Sequence, residues 1–330
     1  MKMSKATSML ILSWAWMVSC APKLSENAAQ TDTRINIMPN DTLRIFAPGI
    51  ISTPLNERDL AISPDGRELM YTLNTNDNTR RAIVMVGLTG NRVDSKGIAP
   101  FSGTFADIEP TYSPDGQKLF FASSRPLYAG DTTADYNIWY SERINTQWSA
   151  EAHPVSGKVN TDEDEFYPSV ATNGNLYYTA AYKNGVGRED IYVSMPTEGV
   201  YGEPTPLNTN VNTANFEFNA YVSPDEQVII FSSYGRADDM GGGDLYISTK
   251  DASGHWSKSR NAGPAINSNK LDYCPFIDFR HAAFYFTSNR LPVLKGSMDL
   301  QTFEQAAGGI LNGLGNIYVV DIKVLGIPQR

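Results

Sequence analysis

Five carboxylates recur along the chain at steps of 50, 58, 52 and 55 residues: Glu57, Asp107, Glu165, Glu217 and Asp272. Gathered at one end of a ring, five acids could chelate a cation or grip a polar ligand, and a pair could hydrolyse a glycosidic bond. Crowded carboxylates raise one another's pKa, so such a ring needs counter-charges. Candidates follow at a near-constant spacing: Arg125, Lys183, Arg236 and Arg290, with Thr75 in the corresponding place of the first repeat. The simpler reading is structural. Each acid pairs with its own cation or caps backbone N–H groups, as a buried acid requires.

Other candidates carry less chemistry. Thr161-Asp162-Glu163-Asp164-Glu165 is dense enough in oxygen to hold Ca²⁺, but lacks EF-hand spacing and reads first as a solvated loop. The stretch Asp238 to Asp244 is Gly-rich but leads into a strand, so it offers no helix N-terminus to a phosphate and reads as a turn. His153, His255 and His281 show no metal-ligand spacing, and no G-x-S-x-G elbow is present. The expectation is therefore no catalytic residue, no metal site and no cofactor, with Ca²⁺ the single ion considered.

The elements that must position these acids repeat with them. Six residues after each acid comes a turn: Ser63-Pro64-Asp65-Gly66, Ser113-Pro114-Asp115-Gly116, Ala171-Thr172-Asn173-Gly174, Ser223-Pro224-Asp225-Glu226 and Asp278-Phe279-Arg280-His281. Beyond each turn lies an apolar strand, such as Leu119-Phe120-Phe121 or Val228-Ile229-Ile230-Phe231, and later a third, such as Ile138-Trp139-Tyr140 or Ile317-Tyr318-Val319-Val320. Aromatic and β-branched residues suit a pleated, half-buried surface. Trp148-Ser149, Tyr201-Gly202 and Trp256-Ser257 suggest a fourth element. Four short strands per unit of about fifty residues is the anatomy of a propeller blade.

An SPDG turn, an apolar strand, an S-x-R-like step and then D/N-I-Y resembles the WD40-like PD40 repeat, found in TolB-type propellers and other bacterial envelope proteins. The resemblance spans residues 42–323. The second repeat, with Ser113-Pro114-Asp115-Gly116 and Ser123-Ser124-Arg125, matches well, while the third and fifth are degenerate. The resemblance implies an all-β five-bladed propeller, with six blades as the alternative if residues 35–52 and a cryptic segment form another. The last repeat stops after its third strand near Lys323, so Thr42 to Ser52 is expected to supply the missing outer strand and close the ring.

Residues 1–19 read as a signal peptide: Lys2 and Lys5 precede the short apolar run Met9 to Met17. Met17-Val18-Ser19-Cys20 resembles a bacterial lipobox, which implies lipidation of Cys20. Residues 20–40 are read as a flexible tether and 41–330 as one propeller domain. Removing 1–19 takes away two lysines and leaves a formal charge of −11, with Cys274 as the one unmodified thiol. With no basic block, the chain would repel a nucleic-acid backbone. In the fifth repeat, 27 positions separate Arg290 from Ile317. A short helix capped by Ser297 is expected there, and the 291–315 insertion is a lid, a partner-binding loop or a neutral excursion.

The expected role is that of a non-catalytic envelope lipoprotein, exported and lipid-anchored to the outer membrane facing the periplasm or the cell surface. The ring would bind an envelope protein or a cell-wall component. TolB-type propellers serve as such platforms, some with an appended peptidoglycan-binding domain that does not follow this propeller. The alternatives are a polysaccharide lyase or glycosidase working at the channel, or a small-ligand sensor.

Overall fold

The computed structural model describes residues 33–292 and 296–328, so the expected signal peptide of 1–19 and the lipidation of Cys20 lie outside the described residues. Four blades take their strands in chain order, paired antiparallel from the axis outward. Blade 1 comprises Asn56–Ile62, Glu68–Asn74, Arg81–Thr89 and Arg92–Ile98. Blade 2 comprises Asp107–Tyr112, Lys118–Ser123, Asn137–Ile144 and His153–Pro154. Blade 3 comprises Glu165–Val170, Leu176–Ala180, Asp190–Ser194 and Thr205–Pro206. Blade 4 comprises Phe216–Val222, Val228–Tyr234, Asp244–Thr249 and Arg260–Asn261. Each first strand packs beside the first strand of the next blade all the way round the ring.

Blade 5 closes the circle. Its three inner strands, Asp272–Asp278, Ala283–Ser288 and Asn316–Asp321, receive Arg44–Ile45 as the outer strand, with Arg44 opposite Val319 and Ile45 opposite Tyr318. The expected closure by the N-terminal segment is thus observed, and the ring has five blades. Phe46 follows that strand into the core, edge-on to Tyr285 with ring centroids 5.1 Å apart.

Three local expectations need correction. The packed part of the chain begins before residue 41. Ile35 N–H donates to Asn91 O at 2.7 Å, and Ile35 and Ile37 are buried against blades 1 and 5. The alternation Ile-Asn-Ile therefore acts as an apolar strip, and the tether reading does not hold for 33–40. Trp148, Tyr201 and Trp256 precede the outer strands rather than forming them. They are buried anchors, and Trp148 Nε1 donates to Glu68 Oε1 of blade 1 at 2.9 Å. In the insertion, helix α1 (Leu300–Gly308) is capped by Asp299 rather than Ser297, because Asp299 Oδ1 accepts from Thr302 N–H at 2.8 Å.

The turns follow from their residues. Ser63 and Ser113 donate to Asp65 and Asp115 at 2.7 and 2.5 Å, and Gly66 and Gly116 take the left-handed position at φ 70° and 69°. Glu226 holds that position at φ 58° without a glycine's freedom. Its carboxylate is bound by Asn173, Asn175 and Tyr177 of blade 3, which compensates the backbone cost.

Candidate functional site

The five acids stand at the start of the innermost strands, at one end of the ring, and all are essentially inaccessible to solvent. In four blades a hydroxyl residue four positions earlier caps the carboxylate with both its side chain and its N–H. Thr213 Oγ1 and N each lie 2.7 Å from Glu217; Thr161, Ser268 and Thr53 do the same for Glu165, Asp272 and Glu57. Gly103 stands in that place in blade 2, so Asp107 relies on Ser123 Oγ at 2.6 Å and on Arg125.

Blades 2, 4 and 5 fill the space behind the acid in one way. Arg125, Arg236 and Arg290 pair with Asp107, Glu217 and Asp272 at 2.5, 2.9 and 2.6 Å. Each Nε donates to the serine opposite the acid (Ser123, Ser233 or Ser288), and each Nη2 donates to the carbonyl of the residue six positions before the acid (Phe101, Val211 or Ile266). Each guanidinium also lies over at least two aromatic rings, 5.2 Å from Phe231 and 4.4 Å from Tyr246 in blade 4. The planar fork of arginine makes all these bonds at once, which lysine cannot.

The other two blades lack the arginine. Lys183 is exposed and forms no ion pair among the described residues, which corrects its assignment as a counter-charge. Tyr182 takes the slot instead, its hydroxyl 2.8 Å from Val159 O and 2.7 Å from Glu165 Oε1. The single phenolic proton is shared between the Val159 carbonyl and the Glu165 carboxyl. Burial pushes Glu165 up to about 7, against the lowering effect of its bonds to Thr161 and Tyr182. In blade 1, Lys96 of the outer strand reaches over Tyr71, at 5.8 Å, and donates to Ile50 O at 2.5 Å. Burial raises Glu57 too, opposed by Thr53 and by the charge of Lys96.

Two residues beyond each acid, every inner strand carries a bulge whose residue has positive φ: Asp59, Glu109, Tyr167, Asn219 and Cys274, between 48° and 61°. These five side chains are buried and meet across the axis. Arg58 Nη2 donates to Glu109 Oε1 at 2.6 Å and lies 3.8 Å from Cys274 Sγ, while its Nε sits 2.7 and 2.9 Å from the Asp59 oxygens. Glu109 also accepts from Tyr167 N–H at 2.7 Å and Asn219 Nδ2 at 3.3 Å, and Tyr167 OH donates to Pro275 O at 3.1 Å. Glu109 is raised to about 7 by burial, with Arg58 pulling it down and Asp59 pushing it up. Burial, reinforced by Asp59, drives the Cys274 thiol well up, so it stays protonated.

This plug separates the acid end from the turn end. At the turn end a bowl of about 880 Å³ opens, its rim formed by turns from all five blades and its wall by blades 2 and 3. Arg280 fastens the blade 5 turn to the carbonyls of Pro64 and Asp65 in blade 1. The sequence reading placed the candidate site at the acid end and missed both the plug and the bowl. A signal for the plug existed: Arg58 is charged where the other blades carry Ile108, Phe166, Phe218 and Tyr273. Among the described residues, no group of three or more His, Cys, Asp or Glu side chains converges in a way that could hold a metal ion.

Fold and site together define a five-bladed β-propeller whose inner strands meet in a buried polar plug, with a bowl at the turn end. No protein-family model matches the chain, and no curated protein does. Among solved structures it is similar to TolB from Acinetobacter baumannii, at 14% identity and TM-score 0.46, over 80% of this chain and 54% of that one. The chain thus spans about half the length of that protein. It is also similar to a GH43_1 enzyme from Xanthomonas citri, at 12% identity and TM-score 0.49, over 81% of this chain and 88% of that one. A third is the β-propeller domain of the Trilobed protease from Pyrococcus furiosus, at 12% identity and TM-score 0.34, over 81% of this chain and 69% of that one. The blade count rests on the strand pairing itself.

Proposed function

We propose that this protein is a non-catalytic binding module of the bacterial envelope, lipid-anchored through Cys20, whose ligand or protein partner seats in the bowl at the turn end. One observation carries this reading: the ring acids are committed to bonds within their own blades, whereas all five blades contribute to the cavity at the other end. Glu109 and Glu165, the carboxyls raised to about 7, have the acidity a general acid would need. Both are buried beyond the reach of a substrate, which favours binding over turnover.

A photoreactive residue placed at exposed Gln117, on the bowl rim, tests this in the native envelope against one at exposed Thr104, at the acid end. A specific adduct from position 117 and none from 104 is expected; the reverse pattern would move the site to the acid end. Labelled palmitate should enter the wild-type protein and not Cys20→Ser. Release of sugar from an envelope or plant polysaccharide, lost in Glu165→Gln or Glu217→Gln, would replace the proposal with an enzyme.

A further inference from the structure

The character of the bowl narrows what it can hold. Four charged side chains line it, two of each sign, and each is occupied by a neighbour. Lys118 pairs with Glu142 at 3.3 Å and caps the Tyr140 ring at 4.3 Å. Asp115 is bound by Ser113 Oγ at 2.5 Å and by Gln117 N–H at 3.0 Å. Arg280 is spent on the carbonyls of blade 1, and Asp278 lies 2.6 Å from His281 Nδ1. The charges of the lining therefore cancel within a chain of net charge −9, and the bowl offers a charged ligand no net attractive field.

What remains free is hydroxyl and aromatic. The hydroxyls of Thr111, Thr172 and Tyr140 form no hydrogen bond with a described residue. Around them stand Phe120, Tyr201 and Phe276, so apolar ring surface alternates with isolated donor–acceptor groups. A ligand that fits must present apolar patches and many hydroxyls, carry no charge and fill a cavity in the range of about 300–1,000 Å³ typical of small-molecule sites. A pyranose chain has that character: its ring C–H faces pack on aromatic rings, while its rim hydroxyls both donate and accept. A peptide would bring backbone N–H and C=O groups that need a paired strand edge, whereas the rim turns of blades 1 to 4 are closed by the N–H groups of Gly66, Gly116, Gly174 and Glu226 bonding within their own turns.

We infer that the bowl is a binding site for a short neutral oligosaccharide, with Thr111, Thr172 and Tyr140 supplying the polar contacts. This rests on the reading of the bowl as the ligand site.

Calorimetric titration and thermal shift of the full chain test it with cellotriose, maltotriose and chitotriose, using trigalacturonate and a neutral proline-containing heptapeptide as comparators. At least one neutral trisaccharide should bind and raise the melting temperature, while trigalacturonate does not. Thr111→Val, which keeps the side-chain shape, and Tyr140→Phe, which removes only the hydroxyl, should each weaken binding about tenfold, with the unliganded variants melting close to wild type. Sugar binding that survives both substitutions overturns the site. Binding of the peptide or trigalacturonate in place of the neutral sugars overturns the ligand class but leaves the bowl as the binding site. No binding by any neutral sugar overturns this inference alone if position 117 still crosslinks in the envelope; if that adduct is missing too, the bowl reading falls with it.

Discussion

Arg58 and Glu109 come from the innermost strands of adjacent blades and meet at 2.6 Å on the axis, with both side chains largely withdrawn from water. The pair links blades 1 and 2 directly, and through Tyr167 N–H and Asn219 the same carboxylate reaches blades 3 and 4. A buried ion pair adds little net stability, but breaking one side of it leaves the other charge stranded. Arg58→Met should therefore cost about 3–5 kcal/mol in urea denaturation. The double variant Arg58→Met with Glu109→Gln should recover part of that loss, so a double variant as unstable as the single one would contradict the role given to the pair.

Arg236 makes a parallel case within one blade. Arg236→Ala leaves Glu217 fully buried beside a cavity and removes the bonds to Val211 O and Ser233, so a loss of about 3–5 kcal/mol is expected by chemical denaturation. Lys183→Ala should change stability by less than about 0.5 kcal/mol, because that side chain is solvated.

Stability should also depend on pH through Glu165. Folded, it keeps its proton up to about pH 7, whereas the unfolded chain releases it near the ordinary glutamate value of 4.5. Between these values the native state binds the extra proton, so its stabilising contribution is full below pH 4.5 and is lost as pH rises through about 7. Glu165→Gln can imitate the protonated form, with the amide N–H₂ facing Tyr182. Melting curves from pH 5 to 8 should fall less steeply for this variant than for wild type; parallel curves would show that Glu165 does not titrate there.

The insertion predicts the opposite of a core change. No residue of α1 is buried, and Leu300 and Phe303 are exposed. Replacing residues 297–309 by a short Gly-Ser link should move the melting temperature of the purified protein by no more than a degree or two. A large drop would mean the helix packs on the ring.

The legible parts of the fold are those whose chemistry is local. Ser-Pro-Asp-Gly makes its own turn, and the acid six residues before it was found because a carboxylate recurs in every repeat. The plug was hidden because its bulged position carries five unrelated side chains, Asp59, Glu109, Tyr167, Asn219 and Cys274, united only by backbone conformation. Charge alone points to Lys183, yet the slot needs a donor to Val159 O, which a phenol at Tyr182 supplies. The packing of 33–40 escaped notice because two isoleucines in a polar stretch have meaning only beside the strip they cover. The bowl was invisible for a related reason: its lining converges from five turns far apart in the chain.

Blade 5 is assembled from the two extremes of the propeller, with Arg44–Ile45 added beside Asn316–Asp321. A nascent chain therefore holds its first strand without a mate until nearly all the others have been made. Contacts across some 270 residues come late because their loop-closure entropy must be met before they return any stability. For most of its synthesis the molecule is an open arc with two bare edges, a state prone to pairing with the wrong neighbour. The final pairing turns that arc into an object without ends.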